Sequence, residues 1–493
     1  MGVGLAAAPW IKAWAELPAE FGPERFDLGH LLVRDGERIE APKPERHCEV
    51  VIVGSGIAGL TAGYLLRNRD LLLLDKEPAT GGHARAGEWE GIRYSLAAAY
   101  LTEPYPPLIG FYRDTGILDG LRRIADPVDC YFSDGRFGPL FRGPDFERLE
   151  RALIKIAQRR GAPTIPVEQS GSWALAFDHQ SLERYLIENG YGAEVREYVA
   201  LYCRSAFSAL PSEISAFAGL NFLMGELAPR YSFPGGTAGA AERLTARIEA
   251  AGAGRIQLNA TVAAIHPSHP DAKGGALVVY ADSGGEALHS VSGQRVIVAT
   301  NKLAASRMVR GLPADQKAAI ALAHRGAAVV ANVCLKEAAP APAYDSWYSG
   351  GTGTDVISAD WVRQGGPARG TGRQVLTFYC NTLRDHVSLL GRSAEQWSER
   401  VLGDLERLRP GASRQVAAVR LSRFGHALIC PPPGYITGPR NLTRRPLGPI
   451  LFAHSDGQGL PAFEAAIWEG MAAARALAAT KRHGAHPVPA QPR

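Results

Sequence analysis

The stretch that most constrains this chain runs Glu49-Val-Val-Ile-Val-Gly-Ser-Gly-Ile-Ala-Gly59 and continues through a helical segment to Leu71-Leu-Leu-Leu-Asp75. An apolar run enters a G-x-G-x-x-G turn at Gly54, Gly56 and Gly59, and a second apolar run ends in an acid. That order predicts a strand–helix–strand unit that holds a dinucleotide. Gly54 lets the chain turn tightly off the strand, Gly56 has no Cβ to keep a pyrophosphate from the backbone, and Gly59 lets the helix lie close to the sheet. The helix beginning at Ile57 and Ala58 points free N–H groups and its positive dipole end at the phosphates. Asp75, about 20 residues past the first glycine, is placed to accept from ribose hydroxyls. A glycine-rich turn that binds nothing is the plainer reading, and it gives the acid no reason to be there.

The rest of the chain sets bounds. At 493 residues two domains are expected. A hydrophobic content of 46% with 21% charged residues is ordinary for a globular protein. Cys48, Cys130, Cys203, Cys334, Cys380 and Cys430 are scattered without a C-x-x-C pair, which argues against zinc and a disulfide scaffold and fits a reducing compartment, the cytoplasm. The net charge of +5 is spread along the chain, so nucleic acid is not expected, while an anionic substrate or cofactor suits a mildly basic surface. No window holds the roughly 18 apolar residues of a membrane span. The apolar start lacks a basic leader, so no signal peptide is expected. Trp10 and Trp14 share a helical face, read as docking on the protein itself.

Residues 1–46 read as an N-terminal extension ending in a Pro- and charge-rich linker. The helical period recurs over Phe146–Arg159, Ser181–Glu188 and Glu194–Ser205. Strands are expected over Arg255–Ile265, Ala276–Tyr280, Arg295–Thr300, Ala327–Leu335, Gln374–Tyr379, Val416–Leu421 and Ile450–Ala453, with helices over Ala240–Ala251 and Ala462–Ala479. Phe424–Gly434, with three prolines and two glycines, reads as a rigid loop. The fold expected is α/β. A Rossmann-type, doubly wound nucleotide domain comes from 47–100, 232–300 and 440–480, and a second, α+β substrate-binding domain from 101–231 and 301–439. A disordered tail, 481–493, follows.

Beyond Asp75 and Lys76 the chain reads Gly81-Gly82-His83-Ala84-Arg85. Strand, G-x-G-x-x-G, acid and paired glycines followed by arginine resemble the flavin amine oxidase and phytoene desaturase superfamily. The resemblance implies FAD as the only nucleotide. It implies that Gly81, Gly82, Arg85 and Lys76 border the cofactor; two glycines admit close backbone approach and a forked arginine neutralises phosphate. Pro234-Gly-Gly236 resembles the family's turn. Val262, in Asn259–Ile265, stands where family backbone holds the adenine. Phe452-Ala-His-Ser-Asp-Gly457 resembles the closing motif, which implies that Asp456 meets the ribityl-pyrophosphate region while the helix from Ala462 and Phe463 faces the flavin ring. His454-Ser455 departs from the family's Ala-Gly-Asp or Ala-Gly-Thr-Glu.

In that superfamily the flavin N5 accepts hydride. A lysine often positions a water there; the same alignment puts Arg307 in its place, with Lys302 earlier on the same helix. Phe463, with Trp468 behind it, offers an aromatic face for a cationic or planar substrate, or is simply core. His426 stands where covalent members carry a flavin-linking cysteine. It is open to a covalent link, to hydrogen bonding in the active site, or to a structural role. His83 is placed to tune the ring or relay a proton. Asp360, Trp361, Trp347 and Tyr348 fit the inner face of the second domain or plain packing. Three functions follow: an oxidase or dehydrogenase acting on a C–H beside an amine nitrogen of a small molecule, a desaturase or isomerase on a carbon skeleton, or a flavin-binding partner subunit without turnover.

Overall fold

The computed structural model describes residues 17–22, 26–35, 40–103, 106–139, 143–252, 254–285, 287–338, 341–366 and 372–480. The readings of Trp10, Trp14 and the 481–493 tail lie outside them.

The apolar run at Val50–Val53 is buried, as a strand covered on both faces requires. Arg46–Val53 lies parallel between Leu71–Leu74 and Leu288–Val298, and Ile256–Gln257 pairs parallel beyond Leu71–Leu74. On its far side Leu288–Val298 divides its pairing. Its first half runs antiparallel to Ala276–Ala281, which pairs in turn with Thr261–His266. Its second half takes Ile450–Phe452 in parallel. Helices Ile57–Leu65, Ala238–Glu249 and Phe463–Thr480 cover this sheet with a shared apolar core. Phe463–Thr480 crosses the first of them at Gly470, where a Cβ would lie 2.4 Å from the Ala58 carbonyl oxygen.

The single strand expected over Arg255–Ile265 is two. Asn259 takes a φ of 58°, a left-handed conformation that asparagine tolerates. The turn sends Ile256–Gln257 to one edge of the sheet and Thr261–His266 to the other.

The second sheet has eight strands, in the order Ala19–Phe21, Val416–Cys430, His324–Leu335, Gln374–Leu383, Asp355–Ser358, Asp345–Tyr348, Asp129–Ser133, Arg136–Gly138. The N-terminal segment, expected as extension and linker, thus supplies an edge strand. Helix Ala394–Leu408 packs one face, its start fixed by a Ser393–Gln396 capping box. The helices from Pro144–Gln158 to Ala216–Gly225 build a separate apolar core that reaches Trp347 and Ile429. Phe424–Cys430, expected as loop, continues the strand. Leu428 and Ile429 pair with Gly326 and Arg325, and the loop begins only at the prolines, which cannot donate to a ladder.

Candidate active site

The glycine turn shows why each position lacks a side chain. Gly54 takes a φ of 102°, and a Cβ there would stand 3.0 Å from the Ala299 carbonyl oxygen. At Gly59 a Cβ would sit 1.9 Å from the Gly54 carbonyl oxygen, so helix and turn can close only around glycine. Around Gly56 nothing lies within 4 Å of the Cβ position. Helix Ile57–Leu65 starts with no side-chain cap and no acid in its first turn. The leading N–H groups, at Ile57 and Ala58 among others, therefore stay available to an anion. Gly56 forms a parallel bridge with Gly81, and a Cβ on Gly82 would be 3.1 Å from the Gly56 Cα. Two glycine segments remote in sequence make one floor, open above Gly56, that fits a dinucleotide pyrophosphate.

Asp75 turns back on this floor. Its Oδ2 accepts from the Ser55 amide and hydroxyl, each at 2.6 Å, and Oδ1 from the Glu77 amide at 2.8 Å. Lys76 pairs with Glu77. Arg85 donates through Nε to the Gly82 carbonyl at 2.9 Å and through Nη1 to Glu77 at 3.4 Å. The Ala260 amide donates to the Asp75 carbonyl at 2.8 Å, which draws the strand carrying Val262 alongside the acid.

The second sheet supplies the opposite wall. His83 stands edge-to-face with Phe424, ring centroids 4.8 Å apart. His83 is an exposed residue, and partial desolvation, with the neighbouring charges of His454 and Arg85, pushes its pKa down. In the ladder with His324–Leu335, Gly425, His426 and Ala427 stand opposite Ala327, a bulge that re-aims side chains. His426 faces His386 and His30, with centroids at 5.5 and 6.4 Å. Lost solvation first, then those two histidines, lower its pKa to about 4. Phe463, half-buried, opens the C-terminal helix; Ala462 precedes it, its carbonyl accepting from the Ala466 amide at 3.2 Å.

Asp456 lies buried between the sheets. Oδ2 accepts from the Lys302 amide at 2.9 Å and from Arg325 Nε and Nη2 at 3.2 and 2.9 Å, and Oδ1 stands 3.1 Å from His454 Nδ1. Burial opposes its charge, but Arg325, His454 and the Lys302 amide hold the carboxyl well below its usual range. The Lys302 ammonium is buried without a hydrogen-bond partner among the described residues, 5.1 Å from the centroid of the Phe452 ring. Burial lowers it to about 8, against Glu469 and Asp456. Arg307 is exposed on the last turn of helix Lys302–Met308, and among the described residues its side chain has no hydrogen bond or ion pair. Asp360 and Trp361 are buried at helix Asp360–Gln364, where Trp361 donates to the Ala125 carbonyl; Tyr348 donates to Asp404 on the outer face.

Three residues with clear contacts here escaped the sequence. Arg325 is hidden at the start of an apolar strand. Glu464 and Glu469 are buried acids in the otherwise apolar first half of the C-terminal helix, and that contrast is a readable signal. Glu464 accepts from Thr102 at 3.1 Å and burial raises its pKa; Glu469 accepts from Gln458 at 2.7 Å.

Among the described residues no helix is long and apolar enough to cross a membrane. The chain is similar to the oxidoreductase PigB of a Serratia species, 25% identical over 355 residues, covering 59% of this chain and 52% of that protein. It thus spans about half the length of that relative. Its fold matches a putrescine oxidase solved with putrescine, with a TM-score of 0.67 at 19% identity, covering 88% of this chain and 99% of that one. It also matches cyclohexylamine oxidase from Brevibacterium oxydans, with a TM-score of 0.67 at 18% identity over 90% of this chain and 100% of that one. The family of flavin-containing amine oxidoreductases matches residues 57–478. With the glycine floor and the discontinuous α/β sheet in place, the chain belongs to the family of flavin-containing amine oxidoreductases.

Proposed function

We propose that the protein oxidises a small amine at the C–H bond beside nitrogen. FAD bound along the glycine floor supplies the hydride acceptor. The observation that carries this reading is the meeting of His83, on the floor, with Phe424, on the second sheet, at 4.8 Å. A hydride leaves an amine only when the nitrogen lone pair is free. At neutral pH His426 is uncharged and presents an acceptor nitrogen that can hydrogen-bond a substrate N–H. Phe424 and Phe463 add apolar surface that excludes water. The Arg325–Asp456 pair ties the strand bearing Arg325 to the turn before the C-terminal helix. Water then hydrolyses the iminium product to a carbonyl compound and releases the nitrogen as ammonia or an amine. Oxidation of a carbon skeleton is a second reading, supported by an exposed arginine at 307 where many amine oxidases carry lysine.

Anaerobic mixing of the holoprotein with an amine panel tests this. Bleaching of the visible flavin band, followed by peroxide on readmission of air, is the result expected of an oxidase. A band that no amine bleaches, but an unsaturable hydrocarbon does, moves the assignment to the second reading.

A further inference from the structure

The N-terminal chain makes contacts beyond its edge strand. Past Ala19–Phe21, which runs beside Val419–Leu421, it forms helix Phe26–Asp35, and His30 on this helix stands next to His426, farther along the same strand. The helix also packs against Thr261–His266, the strand that carries Val262, and against Lys302–Met308. Leu28 lies so close to the turn before Leu288–Val298 that a Cβ on Gly285 would be 2.5 Å from its Cδ1. One helix of 10 residues thus touches both sheets. Its hold is light. Leu28 and Leu32 are half-buried, His30 and Leu31 are exposed, and none of its described side chains is buried. So short a helix is marginal without packing, and elements with few buried contacts open first.

Where the helix meets the second sheet, histidines from three elements converge. His426 faces His30 edge-to-face at 6.4 Å and His386, on helix His386–Gly391, edge-to-face at 5.5 Å. Two further charges bear on His426: Arg325 on the neighbouring strand opposes a proton there and Asp456 favours it, and these two are paired with each other. Beside His386, Arg384 pairs with Glu213, and Asp385 accepts from the Ser388 amide. On the strand of His426 itself, Arg423 stacks on Phe21 and Arg420 pairs with Glu20. Each of these acids already has a partner, so protons taken up by the histidines add positive charge that repels across the contact.

We infer that helix Phe26–Asp35 is an acid-released cover: protons on the three histidines drive it off the second sheet and open the strand bearing Phe424 and His426 to solvent. The sign follows from linkage. Burial, then His386 and His30, hold His426 down to about 4 in the closed form. Lifting the helix removes His30 and part of the burial, so the open form binds the proton more readily and gains population as pH falls. The cover acts whatever the substrate is, and its test uses no amine.

Hydrogen exchange of the FAD-loaded full chain, read by mass spectrometry on residues 26–35 and corrected for intrinsic rates, tests this. Between pH 7.5 and 5 the protection of this helix should fall by about threefold to thirtyfold, the upper figure being a full return of His426 from about 4 to its ordinary ~6.5. Helix Ala394–Leu408, on the same sheet, should keep its protection. In His426→Gln the group that takes the proton is gone, and the effect of pH should drop below about twofold. His30 is exposed, so His30→Phe keeps the fold if the first variant does not; it retains a ring against His426 without the charge, and the loss of protection should shrink at least about twofold. Protection that is equal at both pH values, or a loss of the same size in both variants, overturns the cover.

Discussion

Asp456 keeps its charge between two sheets because Arg325 faces it with two guanidinium nitrogens, and both side chains are nearly without solvent, at 3% and 2% exposure. Replacing Arg325 with Met removes that carboxylate's guanidinium partner and leaves it only His454 and the Lys302 amide. The expected loss is about 3–5 kcal/mol in urea unfolding, the range for removing one partner of a buried pair. The pH dependence has a defined sign. The carboxyl titrates lower in the folded protein, so its contribution is present above its unfolded pKa and is lost as pH falls through the depressed folded value. The histidines act at a different pH. His426 titrates at about 4 folded, against about 6.5 unfolded. Its contribution is full above about 6.5, shrinks as pH falls, and is gone below about 4. Between pH 7 and 4 the melting temperature of the wild type should therefore drop more than that of His426→Asn. Parallel curves would show that the folded ring is not held neutral.

At the scale of elements, the glycine turn makes opposite demands at Gly56 and Gly59. Gly59→Ala drives a methyl into the Gly54 carbonyl, so the apoprotein should lose stability by several kcal/mol, as overpacking does. Gly56→Ala meets no protein atom. It should fold with an unchanged melting point yet bind FAD at least about tenfold more weakly, because the methyl occupies the pyrophosphate's path. Equal FAD affinity in wild type and Gly56→Ala would place the pyrophosphate elsewhere. This unit was legible because strand, turn and helix lie within one short stretch. Elements whose form depends on distant partners were not. Phe424–Cys430 carries glycine and runs into prolines, which suggested a loop, and only His324–Leu335 alongside makes it a strand. Asn259 breaks a strand that its apolar neighbours would continue, because its amide donates to the Glu77 carbonyl across the sheet. Arg325 was invisible for the same reason: its partner, Asp456, is far away in the chain.

At the scale of the whole molecule, the chain returns repeatedly to each of two sheets, and the N-terminal segment belongs to the second. Ala19–Phe21 runs parallel to Val419–Leu421, the Gly22 amide donates to Leu421 at 2.8 Å, and the Val419 amide donates to Pro18 at 2.9 Å. Arg423 stacks on Phe21 at 3.9 Å, and Glu20 pairs with Arg420. Without this segment the strand that carries Phe424 and His426 becomes an unpaired edge. Exposed edges recruit other chains. Deleting residues 1–22 should lower stability by about 1–3 kcal/mol for the lost hydrogen bonds and stacking, and should promote self-association visible by light scattering. Because that edge strand also positions Phe424 against His83, flavin reduction by a reactive amine should slow in the truncated protein while FAD remains bound on the glycine floor. A truncated protein that stays monodisperse and reduces its flavin at the full rate would show that the edge strand supports neither the sheet nor the site.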